Sequence, residues 1–423
     1  MARRIGLRNN QIVAIVAEGS PAKISGDVTL VDVPVQLAGL SDEEIMVSAR
    51  FRGGQIVVPG RPKPLSEVKA AFVGAWGVPC GISTYAEALF PHMWSQVGDW
   101  RLYPEVTQDQ KPSDDARVVQ GTWARGQNLS RLVEQIENFA PDVVYIQHEY
   151  GIFPDARAWL SFISRIRDFR PIVTMHSVFL HKDKTICEAA CPEIVVHSTL
   201  ARDVLVNQKG IRSKIHVIPH GCGDYRPNRL YNLYRSKRTF MQFGFGFRYK
   251  NWEAPIKAVA LLKPKYPDVF FTGLFSEGMF SKLEHQRYYD ELMALADNLG
   301  VKDSIAFVRG YQSEQVIDSY LGTNQVAVFA YQNDPNHMVY GASGASRRAL
   351  ETGIPVVVSK VPHFCDLEGV CPMADTPEEL AAELSKLFDN WKVGQAQAAR
   401  QLEFLQANSW RAAANKHLEV LGG

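Results

Sequence analysis

Thr239-Phe-Met-Gln-Phe-Gly244-Phe-Gly246-Phe-Arg248-Tyr-Lys250 is the stretch on which the reading of the chain turns. Its apolar run suits a strand buried on both faces, small residues follow at a turn, and two cations close the segment. Toward the C-terminus, apolar runs recur at 268–272, 304–308, 325–330 and 355–359, with helical patterns between them at 252–262, 283–299, 313–320 and 344–352. Toward the N-terminus the same alternation has already run once. Strands are expected at 69–74, 142–146, 171–175, 193–196 and 214–218, and helices at 83–94, 156–169 and 199–208. Continuous apolar strands alternating with helices predict a parallel sheet covered on both faces. The quoted stretch is therefore a restart. The expected fold is α/β, with two Rossmann-like, doubly wound domains facing a cleft.

Further regions frame these two domains. Residues 1–64 carry short β-branched segments bounded by Gly, Pro and Asp, such as Val28-Thr-Leu-Val-Asp-Val-Pro-Val, and read as a β-rich N-terminal extension. The first α/β domain is assigned to 65–228, the second to 229–400, and 401–423 to a terminal helix able to pack back on the first domain. With 423 residues, 46% of them hydrophobic and 22% charged, disordered and fibrous classes are excluded. A net charge of +1 argues against wholesale coating of a polyanion, while a local basic patch stays open. Six cysteines are scattered through the chain, and Cys187-x-x-x-Cys191 lacks a second pair to complete a metal site. The apolar stretch at 12–17 is too short for a signal peptide, and no run approaches the roughly 20 apolar residues of a membrane span, so a cytoplasmic protein is expected.

In open parallel sheets ligands bind beyond the carboxyl ends of the strands. In the first domain those positions hold Gly74-Ala-Trp-Gly-Val-Pro-Cys-Gly81-Ile82, Gln147-His148-Glu149-Tyr150-Gly151, His176-Ser177, His197-Ser198 and His220-Gly221. Any one of these histidines is at least as readily a satisfied structural residue. Four of them at four strand ends favour a functional rim.

The second domain supplies groups suited to anions. Gly244 and Gly246 permit close backbone approach, and Arg248 and Lys250 add charge. Tyr340-Gly341-Ala342-Ser343-Gly344-Ala345-Ser346-Arg347-Arg348 reads as a glycine-rich loop entering a helix, whose free N–H groups would cradle a diphosphate. The competing readings are a solvated cation pair and close helix–strand packing. The phosphate reading is preferred because both features fall at strand ends of one domain. Neither loop gives G-x-G-x-x-G with an acidic residue about 20 positions on, and no G-x-x-x-x-G-K-[ST] occurs, which disfavours a dinucleotide-dependent dehydrogenase and a P-loop nucleotidase. Asp-x-Asp is absent as well, so no carboxylate pair is expected to hold a metal on a nucleotide phosphate.

Taken in order, Cys80-Gly81-Ile82-Ser-Thr-Tyr85, Tyr145-Ile-Gln-His148-Glu-Tyr-Gly-Ile-Phe153, Thr174-Met-His176, Val196-His197-Ser198, Val217-Ile-Pro-His220-Gly221, the Phe243 to Lys250 segment and Gly353-Ile-Pro-Val-Val-Val-Ser359 resemble the family 4 glycosyltransferases of GT-B fold. These are retaining enzymes that use nucleotide sugars. Each motif is short, but seven in the family's order make a specific signal, which covers roughly residues 67–400 and leaves out the extension.

The resemblance implies that Gly81 and Ile82 lie on a loop facing the donor, that His176 lies near the donor sugar, and that Arg248 and Lys250 neutralise the diphosphate. It implies that Arg309-Gly310-Tyr311 contacts the nucleobase, with His148 or Glu149 toward the acceptor. The family's Glu-x7-Glu pair is missing, since Tyr340 and Arg348 stand at those positions. The chain resembles a divergent branch in which the backbone of 343–345 binds the phosphates, leaving Glu351 as the nearest carboxylate for a ribose. The expected activity is retaining, metal-independent hexosyl transfer from a nucleotide-diphosphate sugar to a hydroxyl on a glycan or lipid-linked saccharide, with no cofactor. Two alternatives remain open: transfer to hydroxymethylated, phage-type DNA, guided by basic residues of the extension, and a catalytically degenerate nucleotide-sugar-binding protein. The oligomeric state is left open.

Overall fold

The structure is a computed structural model, and it describes residues 3–8, 11–17, 29–32, 41, 50–52, 55–57, 63–108, 110–179, 193–227, 237–277, 282–333 and 338–422. Cys187 and Cys191 lie outside these residues. In the extension, β1 (Arg3–Arg8), β2 (Gln11–Ala17) and β3 (Thr29–Asp32) form an antiparallel sheet in the order β2-β1-β3. β4 (Arg50–Arg52) and β5 (Gln55–Val57) form a separate hairpin.

The first α/β unit contains β6 (Lys69–Gly74), β7 (Asp99–Pro104), β8 (Val143–His148), β9 (Pro171–Met175), β11 (Glu193–Val196) and β12 (Lys214–Val217), with the short β10 (Ser177–Phe179) beyond β9. The six strands are all parallel, in the order β12-β11-β9-β8-β6-β7. Every residue of β8 and β9 is buried, as their unbroken apolar runs require. The edge strand β7, Asp-Trp-Arg-Leu-Tyr-Pro, escapes the sequence reading because its charged residues break the apolar run. Helices α1 (Gly81–Trp94), α2 (Ser130–Phe139), α3 (Ala156–Ile166) and α4 (Thr199–Asp203) connect these strands. The Asp155 carboxylate caps α3 by accepting from the N–H groups of Arg157 and Ala158, which satisfies two donors that the helix start leaves unpaired.

The second unit repeats the plan. β13 (Thr239–Phe245), β14 (Phe270–Ser276), β15 (Ile305–Arg309), β16 (Val326–Phe329) and β18 (Val356–Val358) form a parallel sheet in the order β15-β14-β13-β16-β18. Its helices are α5 (Glu253–Leu262), α6 (Lys282–Asn298), α7 (Glu314–Thr323) and α8 (Gly344–Glu351), followed by α9 (Pro377–Asp389) and α10 (Trp391–Ala407). The chain is α/β with two parallel, helix-covered sheets, as its apolar rhythm predicts.

Two features tie the units together. β17 (Val339–Gly341) pairs antiparallel with β10, so a small sheet spans both. Helix α11 (Trp410–Gly422) leaves the second unit and lies on α1, where Ala413, Ala414, Leu418 and Leu421 join Phe72, Leu89 and Met93 in one apolar cluster. Among the described residues no helix is long and apolar enough to cross a membrane.

Candidate active site at the facing strand ends

Strand order decides where a crevice opens. In the first sheet the connections run opposite ways from β6, to β7 on one side and β8 on the other; in the second sheet they do so from β13, to β14 and to β16. The loops after β6 and β8, and after β13 and β16, therefore diverge and leave a depression at each switch point. Residues of the two units meet there. Ser177 pairs with Gly341, Tyr311 lies close to Thr84 of α1, and Cys365 lies close to Ser198.

Lys250 and Tyr331 occupy the second unit's switch point. Lys250 is 7% exposed, and its Nζ sits 5.1 Å from the centroid of the Tyr331 ring. Gly244, at φ +135°, makes room for it, since a β-carbon there would fall 2.5 Å from that Nζ. Among the described residues no carboxylate pairs with this ammonium. A buried charge without a partner costs several kcal/mol in order of magnitude, a cost that a bound anion would offset. The Tyr331 hydroxyl lies 3.1 Å from Ser343 Oγ, which accepts from the Ser346 N–H at 3.3 Å and caps α8. Lys250 and the start of α8 thus converge on one tyrosine, and the α8 N-terminus adds the positive end of its dipole. His363 stacks on Tyr249 at 5.6 Å; burial, then the nearby Lys250 charge, push its imidazole down to about 3.

Several expected donor residues stand elsewhere. Arg248 is half-exposed, stacks on the Tyr288 ring at 4.6 Å and makes a bidentate pair with Glu291 of α6 at 2.7 and 2.8 Å. Its fork faces that carboxylate. Arg348 turns away from the crevice to bond Asp318 of α7 at 2.8 Å and Glu351 at 3.1 Å. Glu351 accepts from the Gly223 N–H at 2.6 Å and from Arg226 at 3.2 Å, so its oxygens hold the chain between the units and are not presented to a ribose. Tyr340 packs into the apolar core of the first unit, its hydroxyl 3.8 Å from Met338 Sδ. Arg309 bonds Glu277 and Gln286 at the surface, beside Gly310 and the half-exposed Tyr311.

The glycines divide by role. Gly246 lies under Phe275, whose ring a β-carbon would strike, so it serves packing. Gly341 brings its backbone against the His176 carbonyl, where a β-carbon would stand 2.6 Å from the oxygen. A β-carbon on Gly81 would meet nothing within 4 Å, so the first turn of α1 is open, with Ile82 half-buried beside it. At the start of α8, Ala342 leads into Ser343, and Gly344 and Ala345 form the first helical turn; a β-carbon on Gly344 would lie 3.5 Å from His220 Nε2.

The histidine rim is real, and its hydrogen bonds assign its tautomers. His197 Nδ1 lies 3.1 Å from the Ile218 carbonyl oxygen, so that nitrogen carries the proton. His176 Nε2 lies 2.5 Å from the Gln147 side-chain oxygen, which only accepts, so that nitrogen carries the His176 proton and donates it. His176 Nδ1 and His197 Nε2 are then both unprotonated and lie 3.4 Å apart. Burial drives His176 and His220 well below the usual histidine range and His197 to about 4, so the rim is neutral. His148 is 1% exposed, stacked at 5.7 Å on Phe153 and pushed to about 3 by burial. It stands behind the rim. Its neighbour Glu149 is half-buried and close enough to Tyr249 of the second unit to raise that hydroxyl, after burial and Tyr331.

Sequence reasoning passed over Arg347, Tyr331, His363 and Asp366. Arg347 is 1% exposed, bonds the Ser343 carbonyl at 3.2 Å and pairs with Asp366, so it ties the start of α8 to the turn that follows β18. A Gly-Ala-Ser run followed by two arginines carries no signal for which of them turns inward. Among the described residues no group of three His, Cys, Asp or Glu side chains is placed to hold a metal ion.

Comparison with known proteins bears on the fold. The family model described as Glycosyltransferase Family 4 matches residues 93–224. Among solved structures, Anabaena HepE in complex with UDP is similar at a TM-score of 0.65 and 14% identity, over 84% of this chain and 99% of that one. Sucrose-phosphate synthase from Thermosynechococcus elongatus matches at 0.64 and 14% over 84% and 98%, and a glycosyltransferase from Rickettsia africae at 0.65 and 14% over 84% and 98%. A search of curated proteins finds no match. The architecture is GT-B. Within it, residues 93–224 match the family 4 glycosyltransferase model.

Proposed function

We propose that this protein is a glycosyltransferase that moves a sugar from a nucleoside diphosphate sugar to a hydroxyl acceptor with retention of anomeric configuration. The observation that carries the reading is Lys250, a buried ammonium with no carboxylate partner among the described residues, at the switch point of the second sheet and tied through Tyr331 to the start of α8. Positive charge and helix N–H groups fixed at one place suit the charge that builds on a leaving diphosphate. In the proposed step the bond between the anomeric carbon and the diphosphate oxygen breaks, and its electron pair leaves with the phosphate. The acceptor hydroxyl oxygen forms the new bond on the same face, and its proton passes to the departing phosphate oxygen. The neutral histidine rim then shapes the sugar pocket, Glu149 lies toward the acceptor, and Tyr311 toward the base. No metal or cofactor enters the proposed step.

Because HepE is described with UDP and, in a second structure, with UDP and glucose, UDP-sugars are the first donors to test. A glycan or lipid-linked saccharide is the proposed acceptor class. The test is a panel of nucleotide sugars, followed by thermal stabilisation and by release of the nucleotide diphosphate; a ligand that binds only the folded state raises its melting temperature. Stabilisation with release supports the reading. Stabilisation without release, against every acceptor tried, replaces it with a binding protein in which the Arg248–Glu291 pair keeps that cation out of the site. No stabilisation by any nucleotide sugar rejects it.

A further inference from the structure

The deepest polar cluster of the first unit belongs to no step above. Tyr85, Tyr145, Thr174 and His417 are each no more than 1% exposed. His417, from α11, lies with Nε2 3.0 Å from the Tyr85 hydroxyl, and its Nδ1 bonds the Tyr145 hydroxyl. Tyr145 in turn accepts from Thr174 Oγ1 at 2.9 Å. One imidazole therefore spans α1 and β8 with both nitrogens, and the chain of bonds ends on β9, two residues before His176.

The Tyr85 ring is the other half of the arrangement. Its centroid lies 4.7 Å from His176, 5.3 Å from His197 and 5.0 Å from His220, and Trp410 of α11 closes a further side at 5.1 Å. Three of the four rim histidines rest on one ring, and that ring is anchored by a hydrogen bond from the terminal helix. We infer that Tyr85 and His417 are positioning residues: α11, arriving from the second unit, sets through them the place of the histidine rim. This rests on the reading of that rim as part of the sugar pocket. The physical reason is that a neutral imidazole edge, held by contacts and single hydrogen bonds, keeps its angle only if the surface behind it is rigid; a displacement of about 1 Å near reacting atoms can cost on the order of a hundredfold in rate.

The test uses His417→Leu, His417→Gln and Tyr85→Phe in the full chain. Leu removes both bonds of the imidazole, whereas the Gln amide reaches as far as Nε2 and can still bond Tyr85. Kinetics are read with whichever nucleotide sugar the wild type turns over, and the imidazole 15N resonances of His176, His197 and His220 are recorded with no ligand present. Expected are a fall in kcat on the order of tenfold or more for His417→Leu, little change in KM, recovery of most of kcat in His417→Gln, and displaced rim resonances in His417→Leu and Tyr85→Phe. Unmoved resonances in a folded His417→Leu or Tyr85→Phe protein overturn the inference. So does a loss of rate that Gln fails to restore. If the wild type turns over no donor, the proposed function fails, while the resonances alone still decide whether α11 positions the rim.

Discussion

The ammonium of Lys250 and the ring of Tyr331, 81 positions apart (331 − 250), face each other at 5.1 Å. The ring's negative face offsets part of the cost of burying the charge, which a carboxylate would otherwise have to meet. In the proposed function, the donor diphosphate supplies the missing negative charge. Lys250→Met is therefore expected to preserve or raise the melting temperature, since it removes a buried unpaired charge. The same variant should lower kcat/KM for the donor on the order of a hundredfold to a thousandfold. Steady-state kinetics beside a thermal melt check both halves, and an active Lys250→Met enzyme removes the lysine from the site.

Arg248 makes a different prediction because it already has a partner. Its pair with Glu291 is half-exposed on both sides, and solvent screens such pairs so that they add little to stability. Glu291→Gln should leave the fold intact and free the guanidinium for the diphosphate, tightening UDP binding in calorimetry. Arg248→Ala should cost little turnover in the wild-type background, where Glu291 holds the guanidinium, and should cancel the gain in the Glu291→Gln background. If Glu291→Gln leaves UDP affinity unchanged, Arg248 is a surface residue.

Glu351 separates a structural carboxylate from a ribose ligand. Replacing it with Ala leaves the Gly223 N–H and the Arg348 guanidinium without their acceptor. The expected loss is about 1–3 kcal/mol or more of stability, seen as a lower urea midpoint. KM for the nucleotide sugar should hold. A raised KM with unchanged stability would return this residue to the donor site.

Acid should weaken the protein through its buried histidines. Burial is the first cause of each shift: His148, His363 and His417 lie at about 3 and His197 at about 4. These folded values are below the ordinary 6.5, so beneath that pH the unfolded chain takes up protons that the folded chain refuses. The stability due to neutrality is complete above about 6.5 and drains away as pH falls toward about 4 to 3, each group contributing about 1.4 kcal/mol per pH unit in that window. The urea midpoint is expected to drop clearly between pH 7 and pH 5, and His148→Phe should reduce the slope by about one proton. Equal midpoints at the two pH values would contradict the burial of neutral imidazoles.

Gly341 carries the strand pair that joins the units. Gly341→Ala places a β-carbon 2.6 Å from the His176 carbonyl oxygen, where the neighbour is backbone and cannot swing aside. Overpacking of this kind costs about 1–3 kcal/mol. The melt should shift down, and amide exchange at Val178 and Phe179 should quicken as β10 and β17 separate. Unchanged exchange there would mean that the two strands are not held as a pair.

How much of this was legible before any coordinates follows from the range of each interaction. The two parallel sheets were readable, because a strand buried on both faces has to be apolar throughout, and that constraint is written in consecutive residues. Strand β7 was not, since an edge strand tolerates Asp99 and Arg101. The rim of histidines and the lysine after β13 were also readable, because a parallel strand delivers its C-terminal neighbours to one edge. What each side chain touches was not. Arg248 meets Glu291 43 positions later by subtraction, and nothing local to either residue announces it. Arg347 and Arg348 are adjacent in sequence, yet an α-helix turns about 100° per residue, so one is buried beneath the crevice while the other reaches Asp318 on the far side. Sequence by itself determined the layers, their order of appearance and which residues reach the carboxyl edge of each sheet. Only the tertiary structure decided which cation stays unpaired there, because pairing is settled by elements that meet after folding.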